Sequence, residues 1–189
     1  YLKNFYKSFT PLTEVGEPKY RTLLQNYDRV GKVFKLLNKE SQSIILDTTK
    51  RMGEGMAKFV LNDYNIATIN DYNIYCNTVA GFVGEGIMKL SIANEYENTS
   101  LVKVLSDTPK HYTHDFGGLE NSMGLFLQKA NIIRDYKEDV ECDKTWWPKD
   151  VWSKYKKNFK DMKDDNISKN CLNEMILDAL GLVPDILTF

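Results

Sequence analysis

The chain has 189 residues, of which 42% are hydrophobic, so it is long enough and apolar enough to bury one hydrophobic core. Its 25 lysines and arginines nearly balance 26 aspartates and glutamates, which excludes an overall field that would favour nucleic acid or an acidic membrane surface. No apolar run reaches the length of about 20 residues that crosses a bilayer, and the three cysteines lack metal or redox spacing, which indicates a reducing compartment.

Helical periodicity dominates the sequence and the alternating runs that mark strands are hard to find, so we expect an all-α protein with one domain over residues 1–189. The predicted helices cover 19–37, a stretch from Asn38 or Ser41 to Leu61, 71–92, 120–139, a region starting near Pro148, and 168–180. Gly181 and Pro184 supply the stop signal of the last helix. The polar segment 94–118 breaks the pattern, and its length predicts that it borders a site or packs as a surface loop.

The helix around "NSMGLFLQKANIIRDYKEDVE" (121–141) carries a row of polar side chains. Asn131, Asp135 and Asp139 follow one another at intervals of four residues, so they project from one helix face about 6 Å apart along the axis. Gln128 lies one turn earlier on nearly the same face. Two carboxylates and an amide are oxygen ligands of the kind that Mg²⁺ uses when it binds a diphosphate, so the row predicts a metal-bridged diphosphate site.

The residues around this row bear on that interpretation. Lys129 and Arg134 are close enough in sequence to supply cations for a phosphate. The remaining positions are apolar, which predicts burial on most sides of the helix; they are Met123, Leu125, Phe126, Leu127, Ala130, Ile132 and Ile133. The alternative is that the carboxylates merely end the helix in solvent. Amides embedded among apolar residues argue against it, because a buried polar group without a partner costs about 1–3 kcal/mol.

A second signal is the concentration of small residues in "DYNIYCNTVAGFVGEGIMKL" (71–90), namely Ala80, Gly81, Gly84 and Gly86. Glycine destabilises a helix interior by about 1 kcal/mol, so either another helix crosses tightly here or a long apolar ligand passes. Tyr75 precedes these residues and could place a phenol in that space, as a proton donor or as a ring that stabilises a cation. The ordinary alternative is a buried tyrosine with one hydrogen-bond partner.

Two further groups carry weaker signals. His111 and His114 form H-x-x-H without an evident third ligand, so the sequence favours a surface pair over a zinc site. Trp146 and Trp147 precede Pro148, a combination that predicts a hydrophobic contact at a helix start with proline near the first position.

Five segments carry a similarity to a known family: "YCNTVAGFVGEG" (75–86), "NSMGLFLQKANIIRDYKED" (121–139), "WWPKDVWSKY" (146–155) and, more weakly, "RMGEGMAKF" (51–59) and "CLNEMILDAL" (171–180). Together they resemble the squalene/phytoene synthase family over almost the whole chain. The patterns Y-C-x-x-V-A-G-x-V-G and N-I-x-R-D-x-x-E-D are shared with phytoene and dehydrosqualene synthases. The segments "SMGLFLQKANIIRDY" and "WPKDVWSKY" are similar to those of the squalene synthases in particular.

The resemblance implies a fold and an activity. The fold would be the all-α isoprenoid synthase helical bundle, with this chain as its central part. The activity would be head-to-head condensation of two farnesyl diphosphates to presqualene diphosphate, then NADPH-dependent reductive rearrangement to squalene for sterol biosynthesis, with Mg²⁺ as the metal. The full-length protein would be a monomer that binds no nucleic acid. It would be anchored in the endoplasmic reticulum membrane by a segment outside this chain, its catalytic domain facing the cytosol.

The resemblance also implies roles for individual residues. Asp135 and Asp139 match the second Asp-rich motif, which binds diphosphate through Mg²⁺, and Asn131 matches an amide that joins this metal site. Tyr75 matches a tyrosine proposed to act as acid or base or to steady the cationic intermediate of the first half-reaction.

Other positions match residues that contact the substrate. Gln128 and Arg134 match polar residues beside it. Lys144 stands where the family usually has arginine, and its phosphate contact is expected to be weaker because lysine lacks the bidentate fork. The apolar tunnel for the farnesyl chains would be lined by Val79, Gly84, Met123 and Leu127.

Departures from the family leave other functions open. The first Asp-rich motif is not found within residues 1–189, Thr78 replaces an aromatic residue common in relatives, and Glu85 places a charge that we expect to turn outward to solvent. One alternative is a phytoene-type or dehydrosqualene-type synthase. Whether formation of the product depends on NADPH would distinguish it from a squalene synthase. The other is a non-catalytic protein that binds prenyl diphosphates.

We expect the open reading frame that contains this chain to encode a D-x-x-E-D motif within about 50 residues upstream of Tyr1, because the resemblance implies metal ions bound between two Asp-rich motifs. Sequencing the full transcript checks this. A reading frame that extends upstream without such a motif would favour the non-catalytic binding protein.

Overall fold

The structure, a computed structural model, describes residues 18–63, 65–95, 100, 117–142 and 144–189. The described elements are helices, and no strand occurs within these ranges, so the predicted all-α class is confirmed. Among the same residues, no helix combines the length and the apolar character that crossing a membrane requires. The chain divides into two compact units, 1–50 and 51–189, and each is considered by itself.

The first unit contains α1 (Pro18–Gln25), α2 (Tyr27–Leu36) and the start of α3 (Lys39–Leu61). One continuous helix over 19–37 was expected, but Asn26 interrupts it, because the Asn26 side-chain amide donates to the Thr22 carbonyl at 2.8 Å and competes with regular helix geometry. The predicted start near Asn38 is confirmed, since Asn38 Oδ1 accepts a hydrogen bond from the Ser41 amide at 2.7 Å.

The second unit holds the other helices: α4 (Ile69–Cys76), a π-helical turn (Asn77–Gly81), α5 (Phe82–Ala93), α6 (Leu119–Arg134), α7 (Tyr136–Glu141), α8 (Lys149–Trp152), a 3₁₀ turn (Phe159–Asp161), α9 (Asn166–Leu180) and α10 (Val183–Thr188). Thr68 and Asp71 form a capping box that starts α4. α9 ends at Leu180 as predicted, but Pro184 lies in the first turn of α10, where proline's missing N–H costs little.

The helix predicted over 71–92 is not regular in its middle. A π-helical turn replaces the α-helix between α4 and α5. Its first residue, Asn77, is buried and accepts a hydrogen bond from Asn121 Nδ2 on α6 at 2.7 Å. Single π-helical turns inside helices are frequent at functional sites, and here the turn carries the bonded amide pair that joins it to α6.

Around α6 lie the π-helical turn, α5, α9 and α10, which pack against it and build the core of the second unit. Fully buried core residues include Tyr72, Leu125, Met175 and Leu182. The predicted start near Pro148 is confirmed: α8 begins at Lys149, whose amide donates to the Ile66 carbonyl at 2.9 Å. This bond ties the start of α8 to the segment that leads into α4.

The small residues of 71–90 serve a tight helix crossing, the first of the two alternatives predicted for them. A Cβ atom added at Gly84 of α5 would collide with the backbone carbonyl of Glu120 in α6. A Cβ atom at Gly124 of α6 would likewise collide with the carbonyl of Ala80. The two helices therefore approach backbone to backbone, an approach that only glycine allows.

We expect Gly84→Ala to lower the free energy of unfolding by about 1–3 kcal/mol, because the Glu120 carbonyl belongs to the backbone and cannot move aside. Chemical denaturation of the purified protein measures this. Gly53→Ala in α3 is the control, since among the described residues no atom beyond the adjoining helix backbone lies within 4 Å of the added Cβ, and it should stabilise by about 0.5–1 kcal/mol. Equal effects of the two substitutions would contradict the close crossing.

Candidate active site

The polar row predicted on the 121–141 helix keeps its spacing in the structure. The helix predicted over 120–139 is divided, because Asp135 has φ −88° and ψ 3° and separates α6 from α7. Helical hydrogen bonds nevertheless continue across the division: the Asp135 amide donates to Asn131 O at 2.8 Å, and the Asp139 amide to Asp135 O at 3.0 Å. Asn131, Asp135 and Asp139 therefore still share one face.

This face is more open than the sequence indicated. Asn131 and Ala130 are exposed and Leu127 is 53% exposed, while Gln128 is partly buried. The expectation of burial on most sides is wrong for this side, because the core-facing side of α6 is instead the one that carries Leu125 and Ile132. The polar row forms part of an accessible wall and not of a sealed interior.

Lys129 does not serve as a cation for the row, contrary to expectation. Its side chain is fully buried, its Nζ lies 2.6 Å from Asp178 Oδ2 on α9, and it stands 5.3 Å from the centre of the Tyr72 ring. Burial of an ammonium group requires such a partner, because an unpaired charge in the core is strongly unfavourable. Lys129 therefore joins α6 to α9 inside the protein.

Arg134 does lie beside the carboxylates, as predicted. It grips Asp135 with two hydrogen bonds, Nε to Oδ1 at 2.6 Å and a terminal nitrogen to Oδ2 at 2.9 Å. This contact holds the pKa of Asp135 below its usual value and raises the pKa of Arg134. Asp135 is therefore a stable anion with a cation at its side.

Asp139 has a different environment. Burial raises the pKa of its carboxyl, and a hydrogen bond from Trp146 Nε1 to Oδ1, at 3.3 Å, acts in the opposite direction. Lys144 is exposed and close by: its amide donates to Asp139 O at 2.8 Å, and its charge also lowers the Asp139 pKa. The structure thus places Lys144 beside the row, and its contact with a phosphate stays a prediction.

Tyr75 reaches the row through Trp146. The two rings are stacked, 4.6 Å between centres and 11° between planes, and Phe59 meets Tyr75 edge-on at 5.2 Å. Tyr75 is buried in this aromatic group and does not line the space beside the glycines, where it was expected. Trp146 was predicted only as part of a helix start, and its position seven residues after Asp139 is the signal that could have linked it to the site.

An apolar cavity of about 380 Å³ lies between α5 and α6. The four residues expected to line an apolar tunnel all line it: Val79, Gly84, Met123 and Leu127. Met123, Leu127, Asn131, Asp135 and Asp139 succeed one another at four-residue steps, so one face of the helix passes from the cavity to the carboxylates. From Met123 to Asp135 the distance along the axis is about 18 Å.

A second cavity, of about 600 Å³, has a polar lining that includes Arg51, Thr78 and Glu85. Glu85 does not turn outward as expected: its side chain is 19% exposed and pairs with Arg51 at 2.8 Å and with Lys89 at 2.5 Å. These bonds lower the Glu85 pKa against the opposing effect of burial. Thr78 faces Gly55, where a Cβ atom would lie 2.5 Å from the Thr78 methyl, so a larger residue at 78 has little room.

The predicted metal site depends on the oxygen atoms that the side chains of the polar row offer. Within the described ranges no group of three or more histidine, cysteine, aspartate or glutamate side chains is arranged to hold a metal ion. Asp135, Asp139 and Asn131 offer oxygen atoms on one face, which fits Mg²⁺ because that ion takes one or two protein carboxylates and completes its shell with phosphate oxygens and water. His111 and His114 lie outside the described residues, as does most of the 94–118 segment.

Fold and site together define a helical protein in which an apolar cavity leads to paired carboxylates. The chain belongs to the squalene/phytoene synthase family, whose model matches residues 2–188, and the resemblance found in the sequence is confirmed. Squalene synthase of Nicotiana benthamiana is 42% identical over 181 residues, covering 92% of this chain and 40% of that protein. Squalene synthase ERG9 of Candida albicans is 38% identical over 181 residues, covering 90% and 38%.

One further relative and one solved structure are also similar to this chain. A protein of Arabidopsis thaliana named inactive squalene synthase 2 is 40% identical over 178 residues, covering 91% of this chain and 40% of that protein. A solved structure titled as the complex of TcSQS with the ligand BPH1237 superposes with a TM-score of 0.81 at 33% identity, covering 97% of this chain and 52% of that one. The chain spans about two fifths of the length of the curated relatives it matches.

We expect Asp178→Leu to lower the free energy of unfolding by about 3–5 kcal/mol, because it leaves the buried Lys129 without its counter-charge. The double variant Lys129→Met/Asp178→Leu should recover most of that loss, since both charges are then replaced by apolar groups. Denaturation curves of the three proteins measure the coupling. If the double variant were less stable than Asp178→Leu, the buried pair would not be the cause.

Proposed function

We propose that the full-length protein condenses two farnesyl diphosphates head to head to presqualene diphosphate and then reduces this intermediate to squalene with NADPH. One observation carries the proposal: the helix face that runs from the apolar cavity at Met123 and Leu127 to the carboxylates of Asp135 and Asp139. A farnesyl diphosphate has the same polarity, with a hydrocarbon chain at one end and a charged group at the other. The names of the squalene synthase relatives support the same activity.

The residues at the polar end would have different roles: some would bind the metal ion, and others would contact the diphosphate. Asn131, Asp135 and Asp139 would hold Mg²⁺, which when bound offsets the negative charge of the departing diphosphate. Arg134 and Lys144 supply further positive charge at that end, and Gln128 would contact the substrate nearby. Charge placed where the leaving group develops its own charge lowers the barrier to ionisation.

The apolar cavity has the complementary task. Val79, Gly84, Met123 and Leu127 present no polar side chain, so they would give the carbocation that ionisation creates an apolar lining with no nucleophile. Tyr75, stacked on Trp146, would stabilise positive charge with its ring or exchange a proton with its hydroxyl in the first half-reaction. The proposal assigns no described residue to NADPH.

Cellular context is part of the proposal and follows from the family. The full-length protein would be a monomer that contributes to sterol biosynthesis. It would be held at the endoplasmic reticulum membrane by a segment outside this chain, and its catalytic domain would face the cytosol.

A second candidate is a protein that binds prenyl diphosphates without converting them. A relative named inactive squalene synthase 2, at 40% identity, favours keeping this candidate. A third, within the same family, is a phytoene-type or dehydrosqualene-type synthase, whose product would form without NADPH.

The test is incubation of the full-length protein with farnesyl diphosphate and Mg²⁺, with and without NADPH, followed by mass spectrometry of the lipid extract. We expect squalene only with NADPH. Asp135→Asn and Tyr75→Phe should each lower its formation by about 100-fold or more, because the first removes a negative charge from the metal-binding row and the second a phenol hydroxyl.

Two matched controls accompany these variants. Asp164→Asn changes an exposed carboxylate that pairs with Lys169, and Tyr155→Phe removes a hydroxyl that bonds Glu174 at 2.8 Å, so neither should alter squalene formation. Saturable binding of farnesyl diphosphate without any condensation product would exclude the enzyme and favour the binding protein. A condensed product that ignores NADPH would favour the phytoene-type alternative.

A further inference from the structure

We propose that Trp146 is a positioning residue for the site: its indole N–H orients the carboxylate of Asp139 toward the metal, and its ring face fixes Tyr75. The inference rests on the proposed function, because it gives Trp146 a role relative to residues assigned there. From the sequence, this tryptophan was expected only to form part of a helix start.

The segment after α7 closes around Asp139 from two directions. The backbone carbonyl of Asp139 accepts hydrogen bonds from the amides of Lys144, at 2.8 Å, and Cys142, at 3.1 Å. The side-chain Oδ1 of Asp139 accepts a hydrogen bond from the indole N–H of Trp146 at 3.3 Å. Backbone and carboxylate of one residue are thus held by a single short segment, so the orientation of that carboxylate depends on where the segment places Trp146.

An indole is suited to this task by its chemistry. It donates one hydrogen bond, accepts none and carries no charge, so it occupies Oδ1, leaves Oδ2 to a metal and does not cancel the charge of Asp139. Asp135 is held differently, since Arg134 takes both of its oxygens with a charged group. Hydrogen bonds to ligating carboxylates commonly set both ligand orientation and metal affinity.

The same ring has a second contact. Its face stacks on Tyr75 with 11° between the ring planes, while its N–H edge points to Asp139. A rotation of Trp146 that broke one contact would disturb the other. The indole therefore couples the position of the phenol ring to that of the metal-binding carboxylate.

Two variants with a single aromatic ring isolate the N–H. Trp146→Phe keeps a ring for Tyr75 but has no donor, whereas Trp146→His keeps a ring nitrogen that can donate to Asp139. Trp152→Phe is the control, because Trp152 packs near Phe159 and has no contact with Asp139 or Tyr75 among those described. Calorimetric titration of the full-length protein with inorganic diphosphate at rising Mg²⁺ gives the Mg²⁺ concentration for half-maximal binding.

We expect Trp146→Phe to raise that concentration by about 10-fold or more, with Trp146→His between Phe and wild type and Trp152→Phe unchanged. Squalene formation by Trp146→Phe should recover toward the wild-type rate as Mg²⁺ is raised, which a variant that only loosens packing would not do. If Phe and His variants bind alike, or if Trp146→Phe matches wild type, the positioning role is overturned while the proposed function stands. If wild type itself shows no Mg²⁺-dependent diphosphate binding, the proposed function and this inference fall together.

Discussion

The backbone contact between α5 and α6 is the constraint on which the rest of the site depends. Gly84 faces the carbonyl of Glu120, and Gly124 faces the carbonyl of Ala80 in the π-helical turn that leads into α5, so the two segments cannot move closer and a side chain at either glycine would collide with backbone. The apolar cavity lies beside this crossing, with Met123 and Leu127 on one wall. Since packed backbones cannot rearrange as side chains do, the crossing sets both the width of the cavity and the direction in which α6 carries its polar row.

The distribution of charge on α6 explains why a divalent cation belongs to the proposed chemistry. Lys129 pairs with Asp178 in the core, so its charge is not placed among those of the polar row. At the polar end three carboxylates, Asp135, Glu138 and Asp139, act together with two cations, Arg134 and Lys144. A diphosphate therefore meets an excess of negative charge and gains little attraction from these side chains alone. A metal ion held by the carboxylates would reverse this excess.

The sequence predicts features that are local in the chain and misses those that depend on distant partners. Periodicity and capping gave the all-α class and the end of α9 at Leu180, and four-residue spacing gave the shared face of the polar row. Burial of Lys129 depends on Asp178, 49 residues away, and the inward turn of Glu85 depends on Arg51, 34 residues away. Periodicity shows which face of a helix is polar but not what lies opposite it, so these partners appear only in the folded chain.

The two carboxylates of the row differ in a way that matters for how a substrate would enter. Asp135 is partly exposed and bound to Arg134, an ion pair that water competes with and that costs little to open. Asp139 is partly buried and held by the neutral Trp146. Under the proposed function, Asp135 and Asp139 would hold the metal ion, which would supply positive charge to the diphosphate. The guanidinium of Arg134, which pairs with Asp135, has donors that also suit phosphate oxygens, whereas the carboxylate of Asp139 is held by the indole N–H of Trp146.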